Sequence, residues 1–254
     1  IVLGENEYED GVNITPDEIY KWSDENKETP KTSAAGIEQT TEIMRPYVEA
    51  GREVVCFSIS AGMSTTVNVM NMAAQVLEAE DKIKVIDSAN LSTGIGLLVL
   101  KACKWRDERK NVHEIAQLMR ETAPYVRSQF VVDTMEYLHK GGRCSGIAKL
   151  FGTILKIKPL IAVREGKMSV IGKPHGKNEV CFEKMLELLE EDKNNIELDA
   201  VFITHSEADD YCEYLVKRVK EIVPDANLLT SRAGCVISTH CGQGTIGVLY
   251  ILKH

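Results

Sequence analysis

A short polar stretch, Ser58 to Thr66 (SISAGMSTT), gathers hydroxyl side chains around Gly62, between an apolar run and a helical pattern. A strand that runs into a helix N-terminus leaves backbone N–H groups unpaired and a partial positive charge at the turn. Such a turn binds anions, and open α/β sheets bind ligands at the carboxyl ends of their strands. Ser60, Gly62 and Ser64 are therefore candidate anion-binding residues. Simple N-capping by Ser64 is the alternative.

Two further helix starts carry polar side chains. Thr32 and Ser33 precede one predicted helix, and Asp87 and Ser88 end a predicted strand just before another. Each position alone is explained by N-capping. Three hydroxyl-bearing helix starts in one α/β layer favour a ligand site built from neutral donors.

A glycine pair, Gly141 and Gly142, is followed directly by Arg143. Paired glycines permit a backbone nest, and an arginine side chain binds an oxyanion through two parallel hydrogen bonds. The alternative is a helix C-cap followed by a surface arginine.

Two loops contain histidine. His240 lies in a glycine-rich stretch, 238–244 (STHCGQG), beside Cys241 and Gly242. A lone histidine is more often structural than functional, and no neighbouring residue indicates an activated Cys241. His175 and Lys177 form a small basic loop, which by itself is typical of a solvated turn.

Composition excludes several classes of function. The chain has 254 residues, 44% of them hydrophobic, with a formal net charge of −8, which disfavours a nucleic-acid backbone or an anionic membrane surface as the main partner. The seven cysteines are odd in number and lack C-x-x-C spacing, so we expect a reducing, cytoplasmic setting and no zinc site. Signal-peptide and membrane-spanning patterns are absent, as are G-x-G-x-x-G, the P-loop and G-x-S-x-G.

Hydrophobic periodicity predicts an α/β protein with two domains. Thr15 begins a capping box for a helix at Pro16. Alternating strands and helices up to Ala123 predict an N-terminal domain, residues 1–122, with a parallel sheet covered by helices on both faces. Hairpins mixed with helices predict a C-terminal domain, residues 123–254, with a mixed sheet.

The predicted elements have the following limits. The predicted strands are 53–59, 82–86, 127–132, 157–163, 167–171, 200–204, 227–230 and 245–252. The other predicted helices are 33–48, bent or shortened by Pro46, and 67–77, 91–105, 112–123, 133–140, 179–190 and 208–222, the last capped by Ser206.

In their order along the chain, these stretches resemble the DegV family of bacterial fatty-acid-binding proteins. The matching pieces are 8–16 (YEDGVNITP), 31–33 (KTS), 60–66 (SAGMSTT), 85–88 (VIDS), 130–134 (FVVDT) through 140–143 (KGGR), and 240–244 (HCGQG). The resemblance implies two α/β domains with an acyl chain buried between or within them. It also implies the lipid-carrying subunit of a fatty acid kinase, without a cofactor, whose separate catalytic subunit phosphorylates the bound carboxylate.

The resemblance also implies residue roles. Thr32 and Ser64 would bond the carboxylate, and His240 would lie beside the head group. Ser33, Ser60, Gly62 and Gly242 complete the implied carboxylate site. The residues that would face the phosphate or the partner are Arg143, His175 and Lys177, the last two standing where the family has an arginine-bearing basic motif.

Neutral hydroxyls suit a carboxylate at the mouth of an apolar tunnel. They satisfy its lone pairs, while each buried methylene contributes roughly 0.8 kcal/mol. Candidate tunnel residues, taken from apolar runs, are Ile95, Leu98, Phe130, Leu150, Phe151 and Ile154. The family's first strand, with its Asp-Ser turn, is expected to precede Ile1.

Two other functions remain open. Because the family is similar to dihydroxyacetone kinases, in which a histidine holds the substrate, His240 could act covalently in an enzyme on a small carbonyl or acyl substrate. The third hypothesis is a lipid-responsive interaction module that never meets a kinase.

Overall fold

The structure, a computed structural model, describes residues 1–145 and 158–254. Its contacts divide the chain into two compact units. Unit 1 contains Ile1–Ser33 and Arg127–Lys253, and unit 2 contains Ala34–Val126 together with His254.

The described strands and helices alternate along much of the chain. The strands are β1 (Val2–Leu3), β2 (Asn6–Glu7), β3 (Val54–Ser58), β4 (Ile83–Asp87), β5 (Val126–Val131), β6 (Cys144–Ser145), β7 (Leu160–Arg164), β8 (Lys167–Gly172), β9 (Val201–Ser206), β10 (Leu228–Arg232) and β11 (Thr245–Ile251). The α-helices are α1 (Pro16–Asn26), α2 (Ile37–Glu49), α3 (Thr66–Val76), α4 (Thr93–Asp107), α5 (Val112–Thr122), α6 (Glu136–Gly141), α7 (Asn178–Asp192), α8 (Asp209–Ile222) and α9 (Cys235–Cys241). Short 3₁₀ turns span Ala123–Tyr125 and Lys193–Asn195.

Unit 1 is built on a mixed sheet with the strand order β10-β9-β11-β5-β7-β8-β6. β9 pairs in parallel with β10 and antiparallel with β11, while β7 and β8 form an antiparallel hairpin. The central strand β11 is buried along its whole length. Ile246, Val248 and Tyr250 share one core with α7 and α8, while Leu249 and Ile251 are buried on the opposite face. Burial of both faces explains why this strand reads as an apolar run.

The N-terminal residues of unit 1 pack against α9. Thr15 caps α1 in a full capping box with Glu18. Ile14 and Ile19 are buried in a small cluster with Cys235. This cluster therefore joins the N-terminal segment to α9.

Unit 2 contains the parallel pair β3 and β4. Both strands contact α3 and α5, and α2 packs along α3. One core cluster includes Met44 from α2, Ala73 and Ala74 from α3, and Ile83 from β4. The α/β class, with one parallel and one mixed sheet, is confirmed.

The division of the chain differs from the predicted one. The predicted boundary after residue 122 lies close to the change at Arg127, but residues 1–33 belong to unit 1. The reason is long-range packing, since Ile19 is fully buried in the cluster that contains Cys235. Helical periodicity shows which face of α1 is apolar but not which partner covers it.

Three local predictions are corrected. The helix after Ser33 begins only at Ile37, with Gly36 as its N-cap. Pro46 lies inside that helix, which continues to Glu49. Ser206 does not cap α8, because it is the last residue of β9 and its hydroxyl bonds elsewhere, whereas the N-cap position is Ala208.

Candidate functional site

Thr32 and His240 are joined by a hydrogen bond across 208 residues of sequence. Thr32 Oγ1 lies 2.7 Å from His240 Nε2, and both residues belong to unit 1. Since the N-cap of α2 is Gly36, Thr32 is not a capping residue. The neighbouring Ser33 is exposed. The alternative of simple capping is therefore excluded for Thr32, whose hydroxyl instead forms part of a polar pair.

The His240 imidazole is held in its neutral form. Burial, and then the positive charge of Arg143, lower its pKa from 6.5 to about 4. Its Nδ1 is buried and has no hydrogen-bond partner among the described residues. Gly141 lies directly against this atom, since a Cβ at Gly141 would stand 2.5 Å from Nδ1.

The tautomer of His240 sets the direction of its hydrogen bond to Thr32. Nδ1 lacks a partner among the described residues whether it carries the proton or the lone pair, so its burial does not select a tautomer. With the proton on Nε2, the imidazole donates to Thr32 Oγ1. The hydroxyl proton of Thr32 is then available to a ligand, so the pair can donate one hydrogen bond to an anion such as a carboxylate.

Glycines end the two helices that pack around this pair. α6 contacts α9. Gly142 caps the C-terminus of α6 in the left-handed conformation, with φ at +65°. Gly242 caps α9 with φ at +81°, and a Cβ there would meet the Tyr137 ring at 2.7 Å. Both glycines are therefore required by backbone conformation, and Gly242 also by close packing.

Arg143 follows the Gly142 cap with an exposed side chain. Its Nη1 donates to the carbonyl oxygen of Gly141 at 2.7 Å. The alternative prediction for this stretch, a helix C-cap followed by a surface arginine, is therefore correct for Gly142. The Arg143 charge still acts on the pKa of His240, which places a cation near the Thr32–His240 pair.

The serine turn of unit 2 is a compact loop after β3. Ser60 is buried, and its Oγ accepts the N–H of Gly62 at 3.1 Å, while its carbonyl accepts the N–H groups of Met63 and Ser64. Ser64 Oγ lies 2.8 Å from Thr66 Oγ1 and accepts the Thr66 N–H at 3.3 Å. Ser64 therefore satisfies one N–H of the first turn of α3, although the N-cap position is Thr65.

Asp87 links this turn to the loop that follows β4. One oxygen, Oδ1, accepts the N–H of Ala61 at 3.2 Å and that of Ala89 at 2.9 Å. Because β3 and β4 are parallel neighbours, their carboxyl ends meet at one edge. The predicted role of Asp87 as a helix cap is replaced by this bridge between two loops.

The remaining predicted residues lie elsewhere. His175 and Lys177 have exposed side chains in the loop between β8 and α7. Among the candidate tunnel residues, Leu98 and Phe130 are buried and Ile95 is half-buried. The other three lie outside the described residues: Leu150, Phe151 and Ile154.

Sequence reasoning missed the contacts that hold α9 in place. Asp10 accepts the N–H groups of Cys235 and Val236, both at 2.9 Å. Ser206 Oγ lies 2.6 Å from Tyr20 Oη and 2.8 Å from Ser238 Oγ, so a buried chain of hydroxyls joins α1, β9 and α9. In the sequence, the only feature that singled out Asp10 was its place in the stretch 8–16, which resembles the family.

Two absences among the described residues limit the chemistry further. Residues 1–145 and 158–254 contain no group of three or more metal-binding side chains. No helix in that part of the chain combines the length and the apolar character needed to cross a bilayer.

Comparison with known proteins agrees with the motifs. The family described as "Uncharacterised protein, DegV family" matches residues 1–253. A DegV domain-containing protein of Clostridium acetobutylicum is 33% identical over 247 residues, which cover 97% of this chain and 87% of the relative.

Solved structures give the same result. A DegV family protein from Thermus thermophilus, named for fatty acid binding, is 27% identical with a TM-score of 0.87, covering 98% of this chain and 89% of its own. A fatty acid binding DegV family protein from Streptococcus agalactiae is 25% identical with a TM-score of 0.87, covering 100% of this chain and 89% of its own. The chain described here belongs to the DegV family.

Proposed function

We propose that this protein binds a long-chain fatty acid and presents its carboxylate to a separate kinase subunit, which converts it to an acyl phosphate. The observation that carries the proposal is the Thr32–His240 pair, in which a neutral imidazole protonated at Nε2 leaves the threonine hydroxyl proton for an anion. The two solved relatives named for fatty acid binding support the same ligand.

A neutral donor suits a fatty acid carboxylate. The acyl chain supplies the affinity through buried methylenes, at roughly 0.8 kcal/mol each, and the head group needs its lone pairs satisfied without a dense cationic cluster. We propose two groups of carboxylate-binding residues, one in each unit. They are Thr32, Ser33, His240 and Gly242 in unit 1, and Ser60, Gly62 and Ser64 in unit 2.

Arg143, His175 and Lys177 are proposed to face the phosphorylated head group or the kinase subunit. All three side chains are exposed. Since the seven cysteines are free thiols, we place this activity in the reducing cytoplasm.

Lipid extraction with mass spectrometry tests the ligand. Purified protein should carry one long-chain fatty acid per chain. Thr32→Val and Ser64→Ala should each weaken fatty acid retention about ten- to a hundredfold, because a hydrogen bond to a charged group contributes about 1.5–3 kcal/mol. The matched controls Thr230→Val and Ser231→Ala, at surface positions of β10, should retain the lipid. A protein that neither carries nor takes up fatty acid would overturn the proposal.

The kinase role needs a separate experiment. Loaded protein, ATP and the kinase subunit of the native bacterium should together form acyl phosphate. Omission of the kinase subunit should abolish the product. Acyl phosphate made without that subunit would instead favour the enzyme related to dihydroxyacetone kinases, and a pull-down without any kinase would favour the interaction module.

A further inference from the structure

A second concave surface in unit 1 runs along α7, away from the residues assigned above to the carboxylate. It encloses about 520 Å³. One wall is a single face of α7, formed by Val180 and by the residues four, seven and eight positions after it, which are Lys184, Glu187 and Leu188. We call it the α7 groove; the other wall consists of Leu160, Ile171, Gly172, Lys173, Pro174 and His175. Eight residues of helix make it roughly 12 Å long.

The floor of the α7 groove is aliphatic. Leu160 is buried, and Ile171 and Leu188 are partly buried against the core of unit 1. Val180, in the first turn of α7, leaves 48% of its surface exposed. An apolar body lying in the groove would remove this side chain from water, which is favourable by about 25 cal/mol per Å².

Charge is distributed unevenly along the groove. The Lys173 ammonium group and the polar His175 ring line the end beside the first turn of α7, and neither side chain has a hydrogen-bond or ion-pair partner among the described residues. At the far end Lys184 is paired with Glu187 at 2.6 Å, so that end is close to neutral. The N-terminus of α7, whose N-cap Lys177 makes no side-chain cap bond, adds a partial positive charge at the cationic end.

This arrangement selects one chemical class of ligand. A cationic end, an aliphatic floor and a neutral far end complement an amphipathic anion with a medium-length aliphatic body. A nucleotide is disfavoured because the described lining residues include no Phe, Tyr or Trp to stack on a base. The volume lies within the range of about 300–1,000 Å³ that is usual for small-molecule sites.

We propose that the α7 groove is a second ligand site, which takes an amphipathic anion with its head group at Lys173 and His175 and its aliphatic body along Val180 and Leu188. None of the described lining residues is assigned above to the carboxylate, whereas His175 also belongs to the surface proposed to face the phosphorylated head group or the kinase subunit. Occupancy changes the exposed surface of α7, so the groove gives the protein a means to respond to a second, smaller acyl metabolite.

The test uses the full chain, first saturated with palmitate so that the proposed fatty acid site is filled. Octanesulfonate is titrated below its micelle concentration while amide and methyl NMR signals are followed. The expected result is saturable shifts at His175, Gly176 and the Val180 methyl groups. Octanol, which lacks the charge, should bind up to about fivefold more weakly, because surface charge pairs contribute up to about 1 kcal/mol.

Variants with matched controls decide the outcome. Lys173→Gln combined with His175→Gln should weaken octanesulfonate binding about fivefold, and Val180→Asp should abolish the saturable shifts. Lys167→Gln on the same hairpin and Val12→Asp on an exposed turn should change nothing. Equal weakening by the control variants, unsaturable shifts spread over the surface, or equal binding of octanol would overturn the proposal.

The same titration separates this proposal from the proposed function. If the protein takes up no palmitate, octanesulfonate is added to the lipid-free chain and the same groove signals should shift. Signals that shift only in lipid-free protein and vanish after palmitate loading would show that the anion enters the fatty acid site, and the α7 groove would not be a separate site.

Discussion

His240 combines three constraints in one ring. Nε2 is bonded to Thr32, Nδ1 faces Gly141, and burial with a nearby arginine keeps the ring uncharged. A neutral ring positions the Thr32 hydroxyl by a hydrogen bond and adds no positive charge of its own. The pKa of His240 and its packing against Gly141 can therefore be tested in the protein without a ligand.

The depressed pKa of His240 predicts a loss of stability in mild acid. The unfolded chain takes up a proton on this histidine near pH 6.5, whereas the folded protein takes it up only near pH 4. Between these values the unfolded state binds more protons, so the free energy of unfolding falls as pH decreases. From pH 6.5 to pH 5 the loss assigned to His240 should be about 1.5 kcal/mol.

Urea unfolding of the parent and of His240→Gln at both pH values measures this difference. The variant should lose less stability than the parent by that amount. His205, whose pKa is also lowered by burial, is present in both proteins and therefore cancels. Identical pH dependence of parent and variant would contradict the neutral, buried state of His240.

Gly141 is predicted to be intolerant of a single methyl group. A Cβ in Gly141→Ala would lie 2.5 Å from His240 Nδ1, and the ring cannot move without stretching its bond to Thr32. Overpacking of this kind costs about 1–3 kcal/mol. The control is Gly96→Ala inside α4, where the new methyl group would meet only Thr93 at 3.8 Å and where alanine favours the helix.

Thermal unfolding and fatty acid retention test the pair of glycine variants. Gly141→Ala should lower both, and Gly96→Ala should raise the melting temperature slightly and leave retention unchanged. Gly141→Ala with unchanged retention would mean that the position of His240 does not matter for the ligand.

At the scale of elements, the short helix α9 depends on a carboxylate from the far end of the chain. Asp10 accepts two N–H groups of its first turn, and a negative charge at this end also complements the helix dipole. Seven residues are too few for an independently stable helix. The helix that carries His240 is therefore held by tertiary contacts.

Asp10→Ala should destabilise the protein by about 1–2 kcal/mol, the range for loss of an N-cap side chain. Asp10→Asn keeps one acceptor oxygen and should cost less. Asp24→Ala, on the exposed surface of α1, serves as the control with little effect. Hydrogen exchange should accelerate at Cys235 and Val236 in Asp10→Ala, and unchanged protection there would show that the cap is not what holds α9.

The elements themselves were largely predictable, whereas their partners were not. The alternation of strand and helix patterns located β3, α3, β4 and α7 to within a few residues. The Thr32–His240 contact spans 208 residues, and no periodicity reports on such a pair. Ser206 illustrates the difference, because its position before a helix predicts a cap, whereas Tyr20 and Ser238 bind its hydroxyl.

At the scale of the whole molecule, the chain leaves unit 1 once and returns to it. Residues 34–126 form a continuous segment inserted between the two parts of unit 1. This organisation explains why the change in the pattern of strands and helices predicted a boundary near residue 122 but could not place the first 33 residues. α1 looks like a helix of the N-terminal domain in sequence, yet its buried Tyr20 contacts residues beyond position 200.

The insertion predicts how fragments of the chain behave. A fragment of residues 34–126 retains the core that Met44, Ala73 and Ile83 share, so it should unfold cooperatively on heating. A fragment of residues 1–126 adds α1 without Cys235, Ser206 and Ser238, its packing and hydrogen-bonding partners. The first 33 residues should then exchange their amide hydrogens at the rate of an unfolded chain, because an isolated helix of this length is marginal in water.

Both fragments should therefore melt at the same temperature within error, and hydrogen exchange should separate their ordered and disordered parts. If residues 1–33 raised the melting temperature of unit 2, the predicted N-terminal domain of residues 1–122 would be the better description. If residues 34–126 failed to fold while the full chain unfolded in one step, unit 2 would depend on unit 1 for its stability, and the two units would have to be treated as one cooperative structure.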